Sequence, residues 1–470
     1  MENDFRKKLE ELHKDDHHQE IVSILEKIPA EQRDFETIGL LARAYNNIDL
    51  YVKAIELLES VKEEGEGDAL WNYRLGYAHY YLDNLPEALS YFNTAKELDS
   101  SDEDTKYFIR CCNKEMPLSK RVENFWAWFV ENEEKLSEMI HPRTQEEAEK
   151  FTEFVHEGTS LISENIYFNL GGDHEFTFSV EGWQDLFIIY PYIISRMPES
   201  LKSKWKFFPF SQGKGGPFGF RMYGADIDTK QILVRASYRE DIRRFHLSYY
   251  DKTLSGLPER ESNNAFWVIL ENTLGEGVSY KYIDDVEEVK EIEDGMIPLP
   301  ELSKYIEETV KSYGHDFVEN PKDMYTAYRL QPQENDELRF DVITGSTCLD
   351  SLVSEYYRDS TEMFDHINSF GAGAIFIAFP NGDEENEIVS LRHEIEDRIT
   401  DEILEPMNLG QVIGGATGTD NSYIDLLVSD TFAFLDNVIP LLKEYPSFSF
   451  YISDFRQRAE LMRLTEAETE

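Results

Sequence analysis

A chain of 470 residues in which 93 Asp and Glu stand against 46 Lys and Arg carries a formal net charge of −47, which repels phosphate backbones and anionic membrane surfaces and excludes nucleic acid as an expected partner. With 41% apolar and 13% aromatic residues, it is a folding sequence rather than a disordered acidic one, long enough for about two to four domains with cores of their own. Cys111, Cys112 and Cys348 supply neither a disulfide framework nor a zinc spacing; the charged start MENDFRKKLEELHKDD lacks a secretion signal and no run reaches the ~18 apolar residues of a membrane span, so a cytoplasmic protein is expected.

Residues 1–116 read as helix throughout. From Trp71 to Asp99, Leu75, Gly76 and Ala78, then Ala88, Leu89, Phe92, Ala95 and Leu98, recur at helical spacing on either side of a break at Asp83-Asn84, with Pro86 just inside the second helix. Thirty-four residues before Gly76, Ala88, Phe92 and Ala95 stand Ala42, Ala54, Leu58 and Val61, a register that matches a 34-residue helical repeat. Ile21, Leu25 and Ile28 approximate an earlier repeat shifted by one residue, and Asp102 to Glu115 supplies a closing helix. Over this quarter of the chain the sequence resembles the tetratricopeptide repeat family, although Trp71 sits one place before that family's usual aromatic and Ser100 stands where its closing proline would be. The resemblance implies a concave groove lined by the first helix of each repeat, with Tyr73, Tyr77, Tyr80, Arg43, Asn46 and Asn47 on or near its wall. Tyrosines suit peptide binding through large area and a polar tip; half-buried packing is the alternative for Tyr77 and Tyr80. The family's Lys/Asn set for a C-terminal carboxylate is not found at the matching positions.

Met116-Pro117-Leu118-Ser119 opens a second domain, expected over 117–313 as α+β with a mainly antiparallel sheet. Phe125, Trp126, Trp128 and Phe129 form an aromatic cluster on its first helix, read as core. Strands at Ile166–Leu170 and Glu175–Val180 make a hairpin around Gly171-Gly172-Asp173, and a helix from Trp183 to Met197 carries Pro191. Further strands are expected at 205–210, 218–225, 231–238 and 244–250, then a helix from Ser262 to Leu274. The pairing of FWAWF with a later Leu274-Gly275-Glu276 resembles a bacterial α+β domain family, and no activity comes with that resemblance. A third domain, 314–460, has the order β-α-β-β-α-β from Ala374 onward, which is ferredoxin-like, and residues 461–470 are expected to be a disordered tail. The expected class is therefore multidomain: all-α repeats followed by two α+β domains.

No reaction is named by any motif. Gly213-Lys214-Gly215-Gly216 fails the P-loop pattern, and Gly414-Gly415-Ala416-Thr417-Gly418 is expected to be a hairpin tip between strands. The eleven histidines show no HExxH or HxH arrangement, no calcium loop exists, and His13 with His17 reads as the polar face of a charged helix. Cys348 before a helix, with His366 or His393 as base, reads better as a buried structural thiol. No catalytic residue, metal or cofactor is assigned. The leading expectation is a non-enzymatic protein-binding scaffold for a protein or peptide partner, a basic one being favoured by charge. The alternatives are an immunity-type acidic inhibitor of a basic toxin or nuclease, and an enzyme between the last two domains using carboxylates such as Asp226 and Asp228.

Overall fold

The computed structural model describes residues 3–333, 337–381 and 385–467 in two compact units, Met1–Pro117 and Leu118–Glu470. The first is helical and the second mixes helices with sheets. Among the described residues, no helix is long and apolar enough to cross a membrane.

In the first unit the helices are α1 (Asn3–Lys14), α2 (His18–Leu25), α3 (Phe35–Asn46), α4 (Tyr51–Glu59), the short α5 (Lys62–Gly65), α6 (Ala69–Tyr80), α7 (Leu85–Leu98) and α8 (Glu103–Glu115). Three of them start alike. The carboxylates of Asp34, Asp68 and Asp102 accept the backbone N–H of Thr37 at 2.8 Å, Trp71 at 2.7 Å and Thr105 at 3.0 Å, satisfying one of the donors that a helix start leaves orphaned. These caps stand thirty-four residues apart. The turns between paired helices are alike too: Asp16, Asp49 and Asp83 adopt left-handed backbone, at φ 56°, 61° and 57°, which aspartate tolerates better than bulky residues. Small residues let the helices approach. Ala42, Ala54, Ala78 and Ala88 are fully buried, and a Cβ on Gly76 would lie 2.8 Å from the Phe92 ring across the α6–α7 contact. Trp71 fills the space behind, its indole N–H donating to the Leu58 carbonyl at 2.9 Å.

The second unit begins with the helix Leu118–Glu131, tied down at its first turn. The Leu118 N–H donates to the Gly371 carbonyl at 2.8 Å and the Ser119 N–H to the Ser429 carbonyl at 3.0 Å. Strands β1 (Tyr167–Gly171), β2 (Glu175–Ser179) and β3 (Lys206–Phe208) form one sheet, β4 (Gly219–Met222) and β5 (Ala225–Asp228) a hairpin, and β6 (Leu233–Arg239), β7 (Arg244–Tyr250), β8 (Ile283–Glu288) and β9 (Ile297–Pro298) another sheet. The expected antiparallel pairing holds for β1–β2 and β6–β7, but β2–β3 and β7–β8 are parallel. In both parallel cases a helix intervenes between the strands and returns the chain in the same direction.

The largest sheet runs, among the described residues, β10 (Thr326–Arg329), β11 (Val342–Thr347), β13 (Gly410–Gly418), β14 (Asn421–Val428), β12 (Gly373–Pro380), β15 (Tyr451–Asp454), β16 (Met462–Arg463), antiparallel throughout. Strand β12, held between β14 and β15, is apolar on both faces. Ala374, Phe376 and Ala378 point into a core shared with the helix Leu118–Glu131, while Ile375, Ile377 and Phe379 face the helices Glu385–Ile399 and Thr431–Leu442.

Three expectations are corrected here. Residues of 117–313 and of 314–460 do not build separate domains: Phe125, Phe129, Phe176 and Tyr190 pack into one core with Leu352, Phe376 and Tyr423, because the helices Asp350–Arg358 and Glu362–Ser369 cover that sheet face together with the earlier segment, while residues 227–310 hold a further core. Gly414–Gly418 belongs to strand β13 rather than a hairpin tip; the turn falls at Thr419-Asp420. Met462–Arg463, inside the stretch expected to be a loose tail, pairs with Tyr451 and Ile452, while residues 468–470 lie outside those described.

One charge pair is sealed inside this core. Arg339, fully buried, binds both carboxylate oxygens of buried Asp425, through Nη1 to Oδ1 and through Nη2 to Oδ2 at 3.1 Å. The faces of Tyr356, Phe376, Tyr423 and Phe455 surround the guanidinium at 4.9–5.8 Å.

Candidate functional site

The residues expected on the groove wall come from α3 and α6, and α8 joins them. Tyr73, Tyr77 and Tyr80 occupy successive positions along one side of α6 and converge on Phe108 of α8, with ring centroids 6.0, 5.2 and 5.3 Å away. All three are half-buried. Burial raises each phenol well above its ordinary range, so they act as neutral hydrogen-bonding surfaces. The Tyr80 hydroxyl donates to Glu115 at 2.8 Å.

The aromatic surface extends beyond those three. Tyr81 is 46% exposed and stacks on Tyr51 at 5.3 Å with planes 7° apart, and it touches Tyr77 at 4.7 Å. Tyr107, 55% exposed, lies edge-on to Phe108. Rings therefore run from the start of α4 across the end of α6 to α8. Tyr81 and Tyr107 keep about half their surface in solvent, while Phe108 beneath them is buried.

Arg43, Asn46 and Asn47 divide. Asn47 is exposed, and its side-chain amide donates to the Arg43 carbonyl at 2.9 Å, closing the end of α3. Asn46 is buried; its amide donates to the Arg74 carbonyl at 2.9 Å, tying α3 to α6, and its Oδ1 has no partner. Asn47 is spent on the end of its own helix and Asn46 on the contact between two helices. Arg43 stays half-buried, and neither it nor Arg74 makes a side-chain hydrogen bond or ion pair with any described residue. Burial pushes Arg74 down to about 10, and the charge of Arg43 adds to the effect. The two guanidiniums are thus near enough to repel. His13 of α1 lies in the same field, held low by burial and then by Arg43.

Sequence reasoning missed Arg74, Tyr81, Tyr51 and Tyr107. Arg74 reaches its place because α3 carries a glycine there: a Cβ on Gly39 would lie 2.6 Å from Arg74 Nη1. The Gly39–Arg74 pairing is the signal that could have found it.

Other candidate groups stand apart. Cys348 is buried, and burial pushes its thiol up to about 12; His366 is engaged by Asp185 at 2.8 Å and His393 by Glu396 at 3.0 Å. Asp226 and Asp228 do share a face of β5, but both are exposed and Asp226 faces Arg221 at 3.5 Å. His13 meets His18, at 5.1 Å, rather than the His17 expected from spacing. Among the described residues there is no cluster of metal-binding side chains. Phe125, Trp126 and Phe129 are core.

Comparison with protein-family models, with curated proteins and with solved structures finds no match. What the helical unit offers is chemical: an aromatic strip with two arginines beside it that make no ion pair with a described residue.

Proposed function

We propose that the helical unit is a tetratricopeptide-type repeat stack that binds a protein or peptide partner in the cytoplasm, and that the mixed unit is a non-catalytic body containing a ferredoxin-like module from Gly373 to Asp454. The aromatic strip carries the proposal: Tyr81 and Tyr107 keep about half their surface in solvent beside half-buried Tyr77 and Tyr80. The repeat assignment is supported by aspartate caps at 34, 68 and 102 and by left-handed turn residues at 16, 49 and 83. The sheet order β13-β14-β12-β15, with helices after the first and third strands in sequence, supports the ferredoxin-like module.

The test is capture from native lysate by the full chain, with partners identified by mass spectrometry, against the variant Tyr81→Ala/Tyr107→Ala. Exposed tyrosines can be truncated with little effect on folding, so loss of a specific partner with an unchanged melting temperature is expected. Undiminished capture would remove the strip from the proposal. A second reading is favoured by the −47 charge alone: an acidic inhibitor of a basic protein. It expects capture to fail in high salt and survive the tyrosine changes.

A further inference from the structure

The second unit holds a cleft of about 480 Å³ whose charge is opposite to that of the chain. Arg243 and Arg244 enter it from the β6–β7 turn, Tyr280 and Lys281 from the helix Glu276–Tyr282, and Tyr325 and Asp350 from the segments beside β10 and α-helical Asp350–Arg358. Arg244 is pinned: its Nε donates to the Lys281 carbonyl at 3.2 Å and its Nη2 to the Tyr280 carbonyl, leaving Nη1 without a partner among the described residues. The Lys281 ammonium and the Arg243 guanidinium make no hydrogen bond or ion pair with a described residue either.

Of the two carboxylates lining the same cleft, one is paired outside it, while the charge of Asp350 acts on Lys281. Asp241 pairs with Arg239 at 3.6 Å, and Asp350 accepts the Gln184 amide at 2.6 Å. In a chain where acidic residues outnumber basic ones two to one, three cations sharing a cleft without an ion pair are held for something else. Burial lowers the Lys281 ammonium from its ordinary value, and an incoming anion would reverse that cost.

We propose that this cleft is a binding site for a small phosphorylated molecule, its phosphoryl group seated against Arg244, Lys281 and Arg243. Two guanidiniums and an ammonium, partly offset by Asp241 and Asp350, leave the cleft net positive, and several converging N–H donors suit the three oxygens of a phosphoryl group better than the two of a carboxylate. Tyr280 and Tyr325 supply flat walls for the remainder, and the volume is that of a metabolite site rather than a peptide groove. The site is independent of the repeat unit and of what that unit binds.

Titration calorimetry of the full chain with pyrophosphate as probe, at fixed ionic strength, is the test. Saturable binding is expected, weakened at least tenfold in Arg243→Gln/Lys281→Met and unchanged in Arg43→Gln/Arg74→Gln, a pair of arginines far along the chain from the cleft. Arg243 is exposed, so Arg243→Gln alone leaves the fold intact and should already weaken binding several-fold. Absence of saturable heat, equal binding by the double variant, or loss in the Arg43/Arg74 variant would each overturn the assignment. Acetate binding as tightly as pyrophosphate would overturn the phosphoryl class.

Discussion

Cys112 and Cys348 are buried, and burial pushes each thiol up to about 12, so at neutral pH both are protonated and inaccessible. Cys111 is the partly exposed one. Thiol titration of the native chain at pH 8 should therefore modify no more than one sulfur quickly, with the other two appearing only in denaturant; two fast thiols would contradict the burial. Arg339 and Asp425 make a different prediction. Removing one partner leaves the other charge stranded among Tyr356, Phe376, Tyr423 and Phe455, so Asp425→Ala should lower the unfolding free energy by about 3–5 kcal/mol in urea titrations, whereas Arg339→Met/Asp425→Leu should recover much of that loss. A pair that could be deleted at one end without cost would mean that water reaches it.

At the scale of elements, the aspartate caps give the first unit its punctuation. Each of Asp34→Ala, Asp68→Ala and Asp102→Ala should cost about 1 kcal/mol, read as a shift in the helical transition followed by circular dichroism. The bonds from Thr37 hold the Asp34 carboxyl below its ordinary value. Its contribution is then fully present above the unfolded-chain value near pH ~4 and is lost as pH falls through the lowered folded value, so wild type and Asp34→Ala should converge in stability in acid. These helices were legible in the sequence because their information is local: Gly76, Ala88 and Phe92 repeat, and a cap lies next to what it caps. The hairpin at Tyr167–Ser179 and the strand Arg244–Tyr250 were legible for the same reason, through alternation and turn residues. Fusion of the two later segments around one core was not. Nothing near Phe125 or Phe176 specifies that its neighbours are Leu352 and Phe376. The same holds for the site: tyrosines on one helix face can be read from spacing, but the place of Arg74 depends on Gly39 of another helix.

For the whole molecule, a surplus of 47 negative charges sets the background for every measurement. Self-repulsion favours expansion, so raising NaCl from low concentration to ~0.5 M should raise the melting temperature, with most of the gain complete once the screening length is a few ångströms. A melting temperature that fell with salt would show that attractive pairs such as Arg239–Asp284, at 2.7 Å, outweigh the repulsion. The strapped start of the second unit has a consequence for synthesis. The Ser119 hydroxyl bonds to Asp430, a partner 311 positions later, and Leu118 waits almost as long for Gly371. At ribosomal speeds of about 5–20 residues per second, that partner emerges roughly 15–60 s after Ser119 does. Throughout that interval the helix Leu118–Glu131 has its aromatic face made but the sheet that finally covers it unmade, while the helices ahead of it, which pack on near neighbours, can already close on one another. A nascent chain of this protein is therefore half architecture and half exposed core, and a stop codon anywhere before β14 leaves it that way.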